Sequence, residues 1–193
     1  MAADGELIQI VDAALAEANR RAGVWLACRP GCTECCIGPF PITQLDAVRL
    51  SGGLAELAQH DPARAARVRE RARRAVEAMA ADFPGDARTG ILDDDEAAGK
   101  RFATLAESAP CPALDPGTGM CDLYAARPIT CRTFGPALRW EQESLGVCEL
   151  NFRGASDEEI ADCEVVIGGG ELEAELAAEL PPGDTIVAFA LLR

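Results

Sequence analysis

Long apolar runs, histidine, aromatic residues and positive charge are all scarce in this chain, and each scarcity removes a class of function. No stretch approaches 18 consecutive apolar residues, so no membrane span is expected. Acids outnumber bases 32 to 18, and the resulting net charge of −14 repels a phosphate backbone, which argues against broad nucleic-acid binding. His60 is the only histidine and lies in the polar stretch QHDP with no cysteine near it in sequence, so a hydrolase built on a cysteine and a histidine base is not expected. No GxGxxG, and no glycine loop followed by Lys-Ser/Thr, is present to cradle a nucleotide; the triple glycine 168–170 reads as a linker. The N-terminal stretch mixes acids with apolar residues and has no basic start before an apolar block, so it does not read as a signal peptide. A cytoplasmic chain is the expectation, and there thiols stay reduced.

Against these absences stand nine cysteines in 193 residues. A chain of this length buries a core without disulfide staples, and an odd count leaves one thiol over in any full pairing. Four of the nine crowd into nine positions as Cys28-x3-Cys32-x2-Cys35-Cys36. A second, looser group follows as Cys111-x9-Cys121-x9-Cys131, then Cys148, while Cys163 stands apart in a predicted helix. Thiolates two or three residues apart converge readily on one cation, and both tetrahedral zinc and iron–sulfur clusters take such sets. Metal binding is therefore the expected use of these thiols. Neighbouring side chains diverge in an extended loop, so Cys35 and Cys36 need not serve the same centre. Eight clustered thiols accommodate two four-ligand sites, or one site with spectators. Four thiolates around a divalent cation leave excess negative charge, which calls for nearby cations. Arg29, Arg127, Arg132 and Arg139 lie beside the cysteines and are candidates for that role. Pro128 places a helix N-terminus just before Cys131, where the dipole favours a thiolate.

The remaining sequence reads as helices. Leu7, Ile10, Val11, Ala14, Leu15 and Ala18 mark one face of a helix over 5–21, ended by Gly23. Thr43 with Asp46 opens a second helix through Leu45 and Val48, with Gly52-Gly53 as its stop. Asp61-Pro62 starts a third helix reaching about residue 81, with Val68, Ala72, Ala75, Val76 and Met79 inward. Its six arginines between Arg64 and Arg74 are expected to be solvated and paired with Asp93, Asp94 and Asp95. A fourth helix begins in that acidic run and carries Phe102 and Leu105 inward. Asp115-Pro116-Gly117 is a type II turn signal, with Gly117 supplying positive φ, inside a hairpin that brings Cys111 towards Cys121. Ser156 with Glu159 caps a further helix, another follows over 171–180, and Val187–Leu192 is a strand or a helix. Trp25, Tyr124 and Trp140 flank the cysteines as expected hydrophobic walls. The fold expected is a small, mainly α domain with a cysteine-rich loop and hairpin region organised around a metal centre. It is a single domain over 1–193, with a cysteine core at 25–150, a helical excursion at 43–107 free to vary in length, and a C-terminal helical extension at 151–193. The two cysteine groups are expected to meet in space.

CRPGCTECC, CPAL, CDLY and RPITCRTF, with the later Cys148, resemble the YkgJ-type cysteine-cluster proteins, which are described as a zinc- or iron-chelating domain. The resemblance covers roughly 25–150 and implies eight metal-associated positions here: Cys28, Cys32, Cys35, Cys36, Cys111, Cys121, Cys131 and Cys148. Cys163 falls outside it. The cluster is also similar to that of the flagellin lysine N-methylases, which implies an iron–sulfur centre and tips the expectation slightly from zinc towards iron–sulfur. Those enzymes are longer, and no methyl-donor site is recognisable here. A binding, structural or metal-handling module is the expected function, with a redox or methyltransferase-related enzyme as the alternative. No protein partner is implied.

Overall fold

Helical periodicity and caps dominate the sequence, and the computed structural model, which describes residues 2–193, is mainly helical. Its helices are α1 (Ala2–Ala22), α2 (Gln44–His60), α3 (Pro62–Met79), α4 (Glu96–Ala103), α5 (Ile129–Thr133), α6 (Asp157–Cys163), α7 (Gly170–Ala178) and α8 (Val187–Ala190). The strands are short: β1 (Gly85–Asp86), β2 (Ile91–Leu92), β3 (Leu114–Asp115), β4 (Met120–Cys121), β5 (Leu138–Trp140), β6 (Glu143–Ser144) and β7 (Val165–Ile167). Among the described residues no helix is long and apolar enough to cross a membrane.

The chain divides into two compact units. The first takes the N-terminal stretch up to Pro30 together with Ile129–Glu179, and the second takes Gly31–Pro128 with Leu180–Arg193. The division cuts the first cysteine loop, leaving Cys28 in the first unit and Cys32, Cys35 and Cys36 in the second.

In the first unit α1 buries Leu7, Val11 and Ala18 completely, a stripe at helical spacing. The helix packs against β5, β7 and helices α5 to α7. The sheet there has the order β6-β5-β7, with β5 antiparallel to β6 and parallel to β7. The Ser156–Glu159 capping box is present at the start of α6, with both reciprocal bonds made.

In the second unit α2 and α3 pack side by side, with α8 against both. Thr43 accepts from the Asp46 N–H, and Asp61 accepts from the Arg64 N–H in front of Pro62, so both predicted caps are in place. The core of this unit joins Leu50, Leu54, Val68, Ala72, Leu123 and Leu191, and Cys111 and Cys121 pack against its edge. Burying Leu50 or Leu54 contributes about 1.5–3 kcal/mol each.

Several expectations change. Helix α2 does not stop at Gly52-Gly53 but continues to His60. A Cβ at Gly53 would lie 2.3 Å from the Ala126 Cβ, so this glycine admits the turn at Tyr124–Ala126 against the helix. The predicted hairpin forms as β3-β4, but positive φ falls at Gly119 rather than Gly117. The Asp115 carboxylate accepts from the Gly117 N–H and closes the turn in place of the type II geometry. Val187–Ala190 resolves as helix α8.

Candidate metal centre

The second unit draws residues of both cysteine groups onto adjacent backbone. Cys35 and Cys36 lie in a single 3-10 turn, Glu34–Cys36, closed by the Cys36 N–H on the Thr33 carbonyl at 2.8 Å. The chain then runs antiparallel to Ala109–Cys111: the Gly38 N–H donates to Ala109 O at 2.8 Å, and the Cys111 N–H donates to Cys36 O at 2.7 Å. Gly38 has φ +80°, and a Cβ there would sit 3.1 Å from the Glu107 carbonyl oxygen, so the close approach requires glycine. From Cys111 the chain enters the hairpin, where Leu114 faces Cys121 across the ladder. The Asp122 N–H donates to Ala113 O at 2.8 Å and ties the far strand back beside Cys111.

These thiols act on one another electrostatically. The Cys36 thiol donates to Cys35, which with the Arg127 charge lowers the Cys35 pKa to about 6. The same hydrogen bond, burial and the neighbouring sulfurs of Cys35, Cys111 and Cys121 push Cys36 far up, so the proton the pair shares stays on Cys36 and Cys35 is the more acidic of the two. Burial pushes Cys111 up to about 11 and also raises Cys121. Arg127 is the cation that favours the thiolate at both Cys35 and Cys121, and its guanidinium lies 4.0 Å over the Tyr124 ring. Tyr124 is 57% exposed, so it is a platform for Arg127 and not a buried wall.

The hairpin is held from behind by α3. Asp122, whose side chain is 2% exposed, receives Arg64 Nε and Arg71 Nη2 on its two oxygens, each at 2.5 Å. Arg71 Nε also donates to Pro112 O at 2.8 Å, so one side chain grips the residues that follow Cys111 and Cys121. The expected pairing with Asp93–Asp95 is therefore overturned: Arg64 and Arg71 go to Asp122, while Arg73 and Arg74 pair with Glu70 on their own helix. Asp122 had no signal in the sequence beyond following a cysteine.

The first unit holds Cys28, Cys131 and Cys148. Cys28 is exposed, Cys148 is buried, and Cys131 lies half-buried in α5, as expected from Pro128. The Cys148 N–H donates to Gly135 O at 3.1 Å, and the side chain of Asn151 links Gly135 to Cys28. Nothing in the sequence reading singled out Asn151. Arg132 is buried and pairs with Asp12 at 2.6 Å, Arg139 pairs with Glu164, and Arg29 is exposed with a donor on Ala27 O. Cys163 is buried at the end of α6 with its sulfur 3.5 Å from Arg21 O. Cys32 is half-buried one residue before the Thr33 that begins the Cys35 turn.

Among the described residues no three His, Cys, Asp or Glu side chains are gathered closely enough to hold a metal ion. The donor chemistry nonetheless fits a thiophilic cation in the second unit, where thiols of both groups flank one hydrogen-bonded backbone crossing and Arg127 supplies positive charge beside them.

The sequence profile of a family named CxxCxxCC and described as a "putative zinc- or iron-chelating domain" matches residues 27–149. The first spacing here is x3 where the family name has x2. No curated protein and no solved structure matched the chain.

Proposed function

The chain belongs to the CxxCxxCC family of zinc- or iron-chelating domains, and from that premise we propose that it is a metal-binding module whose clustered thiolates hold an iron–sulfur cluster or zinc. Cys35, Cys36, Cys111 and Cys121 are the proposed donors of a centre in the second unit. Cys32, also in that unit, and Cys28, Cys131 and Cys148 in the first complete the eight proposed ligands. The observation that carries this reading is the 2.7 Å bond from the Cys111 N–H to the Cys36 carbonyl, which joins two cysteine groups 75 residues apart (111 minus 36).

Each residue then has a task. Cys35, whose pKa the Cys36 thiol and the Arg127 charge lower, is the natural first ligand. Cys36, Cys111 and Cys121 release protons on ligation, because the ligating form is the thiolate. Arg127 offsets the negative charge that accumulates. A bound zinc would supply structural cross-linking of the chain, and a bound iron–sulfur cluster would add electron transfer. Iron–sulfur is slightly favoured, from the compact four-cysteine loop and the similarity to the flagellin methylases.

Metal and sulfide analysis of protein made and purified without oxygen tests the proposal, alongside a count of reactive thiols. Bound metal and shielded thiols are expected, and Cys111→Ser should lose the metal and unfold at lower temperature. Nine freely reactive thiols with no metal would sink the reading. A colourless protein carrying zinc would reverse the preference for iron–sulfur, and reversible one-electron reduction would move the assignment towards a redox enzyme.

A further inference from the structure

Asn151 follows Cys148 by three residues and is 4% exposed, an unusual depth for an amide side chain. Its oxygen accepts the Ala27 N–H at 2.8 Å, and its nitrogen donates to Gly135 O at 2.8 Å. The same nitrogen lies 3.4 Å from the Cys28 sulfur in hydrogen-bonding geometry. The Asn151 backbone N–H donates to Cys148 O at 2.8 Å, so this residue touches the loops of two cysteines 120 positions apart (148 minus 28). Gly135 completes the cage. Its φ of +124° strains any side chain, and a Cβ would fit tightly, 3.2 Å from the Cys28 sulfur and 3.3 Å from the Asn151 nitrogen.

The amide carries two N–H donors, and Gly135 O takes one. The other faces sulfur. A neutral thiol is a weak acceptor and turns its own hydrogen towards the Asn151 oxygen, a long contact of 3.7 Å. An ionised or metal-bound sulfur has no hydrogen to give, and charge-assisted acceptance makes the N–H contact the stronger one. We propose that Asn151 is a positioning residue for Cys28: its second amide N–H donates to the Cys28 sulfur in the ligating form and holds that sulfur in place beside the Cys148 loop. The proposal rests on the metal-binding reading.

Full-length protein loaded with a spin-active cadmium isotope provides the test. A hydrogen bond to a ligating sulfur transmits scalar coupling from the metal to the donor proton, whereas an amide that merely bridges Ala27 and Gly135 transmits none. The expected result is coupling from cadmium to one Asn151 side-chain amide proton, abolished by Cys28→Ser. In competition with a chelator, Asn151→Asp, which keeps the acceptor for Ala27 and loses both donors, should weaken cadmium binding about 10–100-fold, the usual effect of removing a partner of a metal ligand. On a Cys28→Ser background the same substitution should weaken it no further. Cadmium bound without coupling to Asn151 overturns the positioning role and leaves metal binding intact. So does an equal loss of affinity with and without Cys28. Protein that takes up neither cadmium nor zinc, and forms no cluster when reconstituted with iron and sulfide without oxygen, overturns the metal-binding reading itself. If Asn151→Asp fails to fold, the coupling measured in the unaltered protein decides alone.

Discussion

Asp122→Ala is the perturbation that most directly probes how the hairpin is held. The carboxylate is 2% exposed and accepts two guanidinium donors, while Arg64 and Arg71 are 38% and 23% exposed. Each charge-assisted hydrogen bond contributes about 1.5–3 kcal/mol net. A fully buried pair loses about 3–5 kcal/mol when one partner is removed, because the other charge is stranded. Here both arginines still reach water and rehydrate, which places the loss between that limit and the roughly 1 kcal/mol ceiling of an exposed pair. The expected cost is about 2–3 kcal/mol, or a fall of about 4–12 °C in Tm at the ~2–4 °C per kcal/mol of a chain this size. Asp122→Asn preserves volume and one acceptor oxygen, so it should cost about half as much. Thermal unfolding of metal-free protein followed by circular dichroism reads these shifts. Arg71→Ala combined with Asp122→Ala should be less damaging than the sum of the two, by about 1 kcal/mol or more, since the partners touch. A Tm unchanged within 1–2 °C (roughly 0.5 kcal/mol), or strictly additive losses, would refute the clamp.

Two further outcomes follow from the second unit. Cys111 titrates at about 11 in the fold against an ordinary 9.0, so its contribution is complete below pH 9 and lost as the pH rises towards 11. Metal-free protein should lose on the order of 2 kcal/mol across that window, metal-loaded protein should not, and chemical denaturation at several pH values distinguishes them. Cys35 has the opposite sign, its contribution being lost as the pH falls through about 6. Gly53→Ala should destabilise by about 1–3 kcal/mol through overpacking, because its Cβ meets Ala126. Gly52→Ala, with nothing within 4 Å, should instead stabilise α2 by roughly 0.5–1 kcal/mol. Equal effects at the two glycines would show that the close approach to Ala126 is unimportant.

Local chemistry was legible in the sequence wherever a short-range rule decides the outcome. Thr43, Asp61 and Ser156 each cap a helix through a bond to a backbone N–H three residues on, a pattern contained within one turn. Gly52-Gly53 misled because a glycine required by a distant neighbour looks the same in sequence as a glycine that ends a helix. Strands β5 and β7 escaped because each has three residues, too few for a period-two signal, and they pair across 27 positions (Leu138 with Val165). The arginines of α3 were assigned to the largest acidic run, but burial strengthens an isolated carboxylate more than number strengthens an exposed one, and Asp122 is the buried one. At the candidate site the cysteines announced themselves by spacing. Asp122 and Asn151 did not, because an Asp or Asn beside a cysteine is unremarkable until the fold brings a distant partner to it.

The helical stretch 43–107 cannot then be a free excursion, as the sequence had suggested, because it carries the supports of the thiol-bearing backbone. Gly53 of α2 admits the turn that precedes Arg127, Arg64 and Arg71 of α3 grip the hairpin beside Cys111 and Cys121, and Glu107 bounds Gly38 two residues after Cys36. Each support uses backbone or charged groups and none uses a sulfur, so the supports exist without a metal. The entropy of bringing together cysteines so distant in sequence is thereby met by folding of the helices, and a metal has only to draw side chains inward. Length cannot vary within α3 between Arg64 and Arg71. Those two residues are seven apart, nearly two helical turns, and that spacing sets both guanidinia on the face that meets Asp122. Insertion of one residue between them would rotate one guanidinium away by about 100° and release the hairpin.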